Sequence, residues 1–271
     1  MLTFSFDEDL ALIRRFLKEG TSFGFSRFGD GELMIMEGQK LNLLYKKEFN
    51  FQGEKWLAQG LIDSIQLNRE NYFIGIPCPC CQPIDKINVL KKLSGLAENR
   101  MTWANLFVNA NFKKFKESVV PLFSNYEFIG FIGPGNHLKL PFRVTKSYHI
   151  GPDAWKNDTH ILDKIRNDIT NKNLSKGLFL FAAGPFANIL CAKLFEEFEN
   201  NTFIDVGSVF NIELGIGANR GYLSGASTLK KKCVWYPEDV DESMLNIEEK
   251  NHAIINPFFK LVISKIKKLI S

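Results

Sequence analysis

Six short apolar runs recur along the chain, and they constrain the fold more than any other feature. They span residues 22–28, 71–77, 126–133, 143–150, 177–184 and 201–207. Because these runs are apolar throughout instead of alternating, they predict strands that are buried on both faces. Segments with helical spacing separate several of them, and "PFANILCAKLFEEFE", from Pro185, has a suitable length for a right-handed crossover. We therefore predict an α/β fold, a mostly parallel sheet with helices on both faces.

The chain has the size of one large domain. Its 271 residues, 45% of them hydrophobic, suffice for a substantial core. Helical spacing also indicates a first helix over 6–20 and another over 54–67. No internal repeat or low-complexity linker divides the sequence. We predict a single α/β domain over 1–256, followed by a separate helix over 257–271.

Charge and cysteine content limit the binding partners and the cellular compartment that we expect for the protein. The net charge of +4 is small and dispersed, so it gives no reason to expect nucleic acid, whereas phosphate-bearing small molecules are compatible with it. Acids at Asp7, Glu8 and Asp9 stand where a signal peptide would have its basic start, and no apolar run reaches the ~20 residues of a membrane span. We expect a cytoplasmic protein whose five cysteines are mostly reduced thiols.

The segment "PCPCCQP" at 77–83 concentrates three of those thiols, Cys78, Cys80 and Cys81. Structural zinc sites use pairs spaced C-x₂₋₄-C together with two further ligands, which this spacing does not match. We favour a proline-stiffened loop at the carboxyl edge of the sheet, where it would line a pocket, over a zinc site.

The string "SRFGDGE" directly follows the first predicted strand and places Asp30 and Glu32 one residue apart. Two carboxylates this close repel each other unless a cation lies between them, and Mg²⁺ and Mn²⁺ prefer such oxygen ligands. Gly29 and Gly31 would let the backbone bend there, and Arg27 offers donors to a phosphate or to one of the acids. The alternative is an exposed acidic turn in which Arg27 forms an ordinary surface ion pair.

A second strand end has features of a phosphate site. In "FAAGPFAN" the strand ends near Ala183, Gly184 permits a close backbone approach, and Pro185 occupies the first turn of a helix. In parallel sheets ligands bind at the carboxyl ends of the strands, where helix starts present free amides. Gly184 and Pro185 are therefore candidates for binding a phosphate, although a plain strand-to-helix turn would use the same residues.

Two further residues are candidates in loops. His137, in "GPGNHLKLPFR", follows a predicted strand and is suited to act as a base or to bind an acceptor; the alternative is a surface histidine. Arg220, in "NIELGIGANRGY", is suited to bind a diphosphate; the alternative is a surface excursion of the chain.

The segment 257–271 predicts a basic amphipathic helix with apolar side chains on one arc and lysines on the other. Such a helix can lie on an anionic membrane surface. It can equally pack its apolar face on the domain. The first alternative would place the protein peripherally at the inner face of the membrane.

Two of these motifs resemble those of a known family. "RFGDGEL" (27–33) is similar to the N-terminal signature of the GT-D-type glycosyltransferases, a family first catalogued as a domain of unknown function and built on a Rossmann-like α/β fold. "LFLFAAGPFANIL" (178–190) followed by "FIDVG" (203–207) resembles that family's strand, Gly-Pro turn, helix and Asp-x-Gly strand end. The resemblance extends over roughly residues 20–210.

The resemblance implies transfer of a sugar from a nucleotide-sugar, expected to be a UDP-sugar, to a glycan, glycoprotein or lipid-linked acceptor. It implies Mn²⁺ or Mg²⁺ held by Asp30 and Glu32, and a role for Asp205 in binding a hydroxyl or in deprotonating the acceptor. The residues expected at the diphosphate are Arg27, Gly29, Gly31, Gly184, Pro185, Gly207 and Arg220. The chain departs from the family pattern at Phe186, where a small hydroxyl residue is common, and at Ser208, where histidine is common.

Two other classes of function stay open on the sequence. A metal-dependent hydrolase of phosphate-containing metabolites would use the same acids and pass the group to water. A non-catalytic nucleotide-sugar-binding module would keep the acids only for structure.

Overall fold

The structure is a computed structural model that describes residues 1–42, 50–79, 82–218, 220, 222 and 223. Within them, nine strands occur, and their bounds are β1 Gly24–Arg27, β2 Leu41–Asn42, β3 Asn50–Phe51, β4 Tyr72–Ile76, β5 Met101–Trp103, β6 Ile129–Gly133, β7 Lys146–His149, β8 Leu178–Phe181 and β9 Thr202–Asp205. Seven of these form one sheet in the order β5-β4-β1-β9-β8-β6-β7, and every neighbouring pair in it runs parallel. The two short strands β2 and β3 pair antiparallel by themselves. All six predicted strands are present, and the predicted α/β class is confirmed.

The helices of the described residues cover both faces of the sheet. Their bounds are α1 Phe6–Glu19, α2 Asp30–Met36, α3 Lys55–Ile65, α4 Ile84–Ser94, α5 Phe112–Ser118, α6 Ala154–Asn157, α7 Ile161–Lys172 and α8 Pro185–Glu197. The helices predicted near 6–20, 54–67 and from Pro185 are confirmed.

The segment 29–32, expected to be a loop, instead begins helix α2. Gly29 is extended and precedes the helix, and its N–H donates to the Glu32 carboxylate at 2.8 Å. Asp30 and Glu32 both lie in the first turn, where negative charge is favoured by the helix dipole. The acids that suggested a turn therefore help to start a helix.

Two hydrophobic cores, one on each face of the sheet, explain why the strands are apolar throughout. Successive strand residues point to opposite faces. Phe179 and Phe203 belong to the core under α3 and α8, whereas Leu180 and Ile204 belong to the core under α1 and α5. A strand that is buried on both faces needs apolar residues at every position, so polar and apolar residues do not alternate along it.

The strand order creates a crevice beside β1. In the sheet, β4 and β5 lie on one side of β1, whereas β6, β7, β8 and β9 lie on the other side of β1. Such a reversal of strand order opens a cleft at the carboxyl ends of the strands, where doubly wound folds bind ligands. In this protein the cleft lies at the ends of β1 and β9.

Residues 224–271 lie outside the described residues, and with them the amphipathic helix expected at 257–271 and the end of the domain expected at 256. In the described ranges, none of the helices is both long enough and apolar enough to cross a membrane.

Candidate functional site

An ion pair joins the ends of β1 and β9. The Nε atom of Arg27, the last residue of β1, lies 3.5 Å from Oδ2 of Asp205, the last residue of β9, and the side chains are only 11% and 5% exposed. Asp205 Oδ1 also accepts a hydrogen bond from Gly207 N–H at 2.8 Å. Arg27 Nη1 donates to the carbonyl of Ala104 at 3.1 Å. Both charged groups are therefore held in fixed positions at the floor of the crevice.

Gly207 allows the guanidinium to sit against the turn that follows β9. Its φ is +55°, and a Cβ built there would lie 1.9 Å from Arg27 Nη2. A side chain at this position would have to displace the guanidinium, and the positive φ adds strain for any residue with a Cβ. The glycine of the Asp-x-Gly motif therefore makes room for Arg27.

The two acids of α2 lie close to this ion pair. Asp30 is exposed, and its Oδ1 accepts from Gly31 N–H at 3.0 Å, whereas Glu32 is partly buried. Burial raises the pKa of Glu32 to about 7, and the negative charges of Asp205 and Asp30 act in the same direction. Three carboxylates thus lie in the region where β1 and β9 end, close enough for the charges of Asp205 and Asp30 to act on Glu32.

This donor set fits a divalent cation that is completed by a ligand. Within the described residues, no group of three or more His, Cys, Asp and Glu side chains is arranged to hold a metal ion. Mg²⁺, however, is commonly held by one or two carboxylates together with the phosphates of a substrate. Asp30 and Glu32 are the two carboxylates available for that role, and a cation there would offset their mutual repulsion.

Asp205 is the most buried of the three acids. Burial raises its pKa, while the charge of Arg27 and the hydrogen bond from Gly207 oppose that rise. Since both of its oxygens already have partners, Asp205 is arranged to hold Arg27 in position.

The N-terminus of α8 lies at the same carboxyl edge of the sheet, with open space beside it. Gly184 precedes the helix with φ +55°, and no atom lies within 4 Å of the position its Cβ would take. Pro185 is the first helical residue, as expected. β8, which leads to this turn, is the neighbour of β9, so the free amides of α8 lie beside the Arg27–Asp205 pair.

Arg220 and Ser208 belong to a group beyond β9. The hydroxyls of Ser208 and Tyr222 are 2.7 Å apart. Burial raises the pKa of Tyr222, and the positive charges of Arg27 and Arg220 both act against that rise, which places both arginines near its phenol. Arg220 thus lies near Tyr222, whose hydroxyl contacts Ser208 in the turn after β9.

His137 lies farther away, on the loop that follows β6. It is buried and not at the surface, and its Nε2 is 2.9 Å from the carbonyl oxygen of Gly133. Its ring stacks on His149 with centroids 4.1 Å apart, and burial lowers its pKa. Strand β8 lies between β6 and β9, so His137 is separated from the Arg27–Asp205 pair by one strand of the sheet.

A polar group under the crevice went unnoticed in the sequence. The Tyr72 hydroxyl is hydrogen-bonded to Ser26 Oγ at 2.7 Å, and the buried thiol of Cys191 interacts with Ser26 and with the backbone of Asp205. Asn188, one turn before Cys191 in α8, is fully buried. The available signal was a polar residue within the otherwise apolar stretch "PFANILCA".

Of the cysteine cluster, only Cys78 is described. It is a buried free thiol after β4 and accepts a hydrogen bond from Asn105 Nδ2 at 3.3 Å. Cys80, Cys81 and Cys233 lie outside the described residues.

Comparison with known proteins gave matches only among solved structures, since no family model and no curated protein matches the chain. One is a selenomethionine-substituted structure of domain of unknown function 1792, with 16% identity and a TM-score of 0.49. Another is the same domain, described as having a distinct glycosyltransferase fold, with 18% identity and a TM-score of 0.47. In both cases the likeness covers 75% of this chain and 79% of the other, and it is a likeness of fold.

Proposed function

We propose that this protein is a metal-dependent glycosyltransferase that takes a sugar from a nucleotide-sugar, a UDP-sugar by preference. The observation that carries the proposal is the convergence of Asp30, Glu32 and Asp205 with Arg27 at the reversal point of the sheet. Acids alone would repel a diphosphate. Together with a divalent cation and an arginine, they form a site for the leaving group of such a donor.

Arg27 is the residue we assign to the diphosphate. The ion pair with Asp205 and the hydrogen bond from Nη1 to the Ala104 carbonyl hold the guanidinium at the crevice, beside the ends of β1 and β9. The amide of Gly184 and the N-terminus of α8, which begins at Pro185, are assigned to the same diphosphate, as is Arg220 on the other side. Asp205 is then a positioning residue for Arg27.

Asp30 and Glu32 are assigned to Mn²⁺ or Mg²⁺. Such an ion, when bound, stabilises the negative charge that develops on the departing diphosphate as the glycosidic bond breaks. Gly29 and Gly31 leave no side chain in the way of that ligand. His137, whose pKa is lowered, is neutral at neutral pH and able to accept a proton, and we retain it as a candidate base for the acceptor. The acceptor proposed is a glycan, a glycoprotein or a lipid-linked sugar.

A thermal-shift screen tests the proposal. UDP-, GDP- and CMP-sugars are added with and without Mn²⁺ to the wild type, to Asp30→Asn and to Asp85→Asn. Asp85 is a matched control, because it is an exposed acid in the first turn of another helix, α4. We expect Mn²⁺-dependent stabilisation by a nucleotide-sugar in the wild type and in Asp85→Asn, but not in Asp30→Asn. If no nucleotide-sugar stabilises the wild type, the proposal is wrong.

The same preparations separate the other two functions. Release of phosphate or nucleoside monophosphate in the absence of any sugar acceptor would indicate a hydrolase. Binding of UDP that is indifferent to Mn²⁺, without turnover, would indicate a binding module.

A further inference from the structure

Asn188 is a fully buried amide with unmet hydrogen-bonding capacity. Its side chain is 0% exposed, and neither Nδ2 nor Oδ1 has a hydrogen-bond partner among the residues that the structure describes. Leaving such a group unpaired costs about 1–3 kcal/mol, and native proteins rarely do so. A buried amide without a protein partner is one that an ordered water or a ligand group can satisfy.

The packing of α8 on the sheet locates this amide. Near the end of α8, Phe195 lies over the first residues of β1 and β9: a Cβ on Gly24 would be 3.0 Å from Phe195 Cγ, and the rings of Phe195 and Phe203 are 6.5 Å apart. Cys191, one turn closer to the start of the helix, interacts with Ser26 and Asp205. The helix therefore runs antiparallel to both strands, and its start points toward their carboxyl ends.

Asn188 lies about one turn nearer the N-terminus of α8 than Cys191 does. The i, i+3 spacing places both residues on the same face of the helix. A helical turn advances about 5.4 Å and two strand residues about 6.6 Å, so Asn188 is level with Phe28 and Gly207. Helical side chains also lean toward the start of their helix. This alignment puts Asn188 at the level of the carboxyl ends of β1 and β9, beneath the crevice that holds the Arg27–Asp205 pair.

The hydrogen-bonding groups of the Asn188 amide limit which part of a nucleotide-sugar can pair with it. Its NH₂ group donates and its oxygen accepts, and both are unpaired. A phosphate oxygen only accepts, so it would leave Oδ1 without a partner. A hydroxyl both donates and accepts, and it can satisfy the two halves of one amide. The ribose and the transferred sugar both carry hydroxyls, and the comparison of UDP with UDP-sugars described below distinguishes between them. On the basis of the proposed function, we infer that Asn188 binds a hydroxyl group of the sugar carried by the nucleotide donor.

The experiment compares Asn188→Leu with Asn201→Leu. Leucine keeps the size of asparagine without its polar atoms. Asn201 is the matched control, since it is equally buried but fully paired: its Oδ1 accepts from Gly177 N–H at 2.9 Å, and its Nδ2 donates to the Leu174 carbonyl at 3.0 Å. Melting temperatures are measured without ligand. Dissociation constants are then measured with Mn²⁺ for UDP, UDP-glucose, UDP-galactose and UDP-N-acetylglucosamine.

We expect Asn188→Leu to melt at or above the wild-type temperature, whereas Asn201→Leu melts below it. Affinity for UDP should stay within about twofold of wild type in Asn188→Leu, while affinity for the UDP-sugar that the wild type prefers falls about tenfold or more. A loss confined to the sugar-bearing ligand supports the inference.

Other outcomes overturn it. A melting temperature of Asn188→Leu that falls as far as that of Asn201→Leu means that the amide is already paired in the free protein. Equal affinity of variant and wild type for the UDP-sugar, or equal weakening for UDP and UDP-sugar, overturns the role at the sugar and leaves the proposed function standing. If the wild type binds neither UDP nor any of the UDP-sugars, the inference is wrong; the proposed function is wrong as well if GDP- and CMP-sugars also fail to stabilise the protein in the thermal-shift screen.

Discussion

Arg27 Nε lies 3.5 Å from Asp205 Oδ2, across the boundary between the neighbouring strands β1 and β9. The two residues come from motifs that lie far apart in the sequence, at 27–33 and 203–207. Since both side chains are largely buried, each charge depends on the other for compensation.

Substituting Arg27 by Met should destabilise the protein strongly at neutral pH. The change leaves the Asp205 carboxylate buried without its cation, for which a cost of about 3–5 kcal/mol is typical. The loss should shrink as pH falls, because removal of Arg27 raises the pKa of Asp205 further and allows the carboxyl to take a proton. Urea denaturation at pH 5 and pH 8 measures both effects.

Lys113→Met is the control for that measurement. Its ion pair with Glu117 is exposed, so the loss should stay below about 1 kcal/mol at either pH. The double variant Arg27→Met/Asp205→Asn should regain much of the stability that Arg27→Met loses. Additive losses in the double variant would contradict the pairing.

Substituting Glu32 by Gln should change how stability depends on pH. The pKa of Glu32 is raised from 4.5 to about 7, so in this range the folded state holds a proton that the unfolded state has released. The contribution of this carboxyl to stability is therefore complete below pH 4.5 and is lost as pH rises toward 7. At pH 8 the variant should be more stable than wild type by roughly 1–2 kcal/mol, an amount reduced by the partial exposure of the carboxyl.

Denaturation curves in metal-free buffer between pH 4 and pH 8 check this prediction. Glu19→Gln removes an exposed carboxyl at the end of α1 and should keep the wild-type pH dependence. Parallel pH curves for wild type and Glu32→Gln would show that Glu32 is not protonated in the folded protein.

Substituting Gly207 by Ala should cost more stability than the same change at Gly215. Both glycines have positive φ, +55° and +77°, but an alanine Cβ meets Arg27 only at position 207. We expect about 1 kcal/mol from backbone strain at Gly215 and about 2–3 kcal/mol at Gly207, where the guanidinium is displaced as well. Thermal unfolding of the two variants gives the comparison, and equal losses would mean that Arg27 moves aside at no cost.

Substituting Tyr72 by Phe should destabilise the polar group beneath the crevice. The Tyr72 hydroxyl is 2.7 Å from Ser26 Oγ and donates to the Ser64 carbonyl at 3.1 Å, and all of these atoms are buried. Its removal takes one hydrogen-bond partner from the Ser64 carbonyl and one from Ser26 Oγ, which costs about 1–3 kcal/mol. In the Tyr72→Phe background, a further change of Ser26 to Ala should cost less than it does in the wild type, as a double-mutant cycle would show. Independent, additive losses would contradict this arrangement.

The sheet could largely be predicted from the sequence because strands buried on both faces are apolar at every position. The strand missed was β5, Met101–Trp103, which is three residues long and follows the polar residues Glu98–Arg100. Helix α2 was missed because Gly29, Asp30 and Gly31 are typical turn residues, and the hydrogen bond from Gly29 to Glu32 that starts the helix is not visible in a residue pattern.

The candidate site could be predicted only as a set of strand ends. Sequence places Arg27 and Asp205 after strands, but their pairing depends on β9 lying next to β1, and strand order is a property of the assembled sheet. His137 was assigned either to the site or to the surface, whereas it is buried against Gly133 and His149. Asn188 was hidden because a single polar residue in an apolar helix has no distinctive spacing.

The position of β9 also bears on how the protein assembles during synthesis. This strand is made after all the others in the described chain, yet it lies between β1 and β8 in the middle of the sheet. Contacts between segments this distant in sequence close late, because the entropy lost in bringing them together is large. A nascent chain that has not yet released β9 from the ribosome has the acids of α2 but no Asp205 to hold Arg27. The crevice therefore takes its final form only after β9, the last central strand, has joined the sheet.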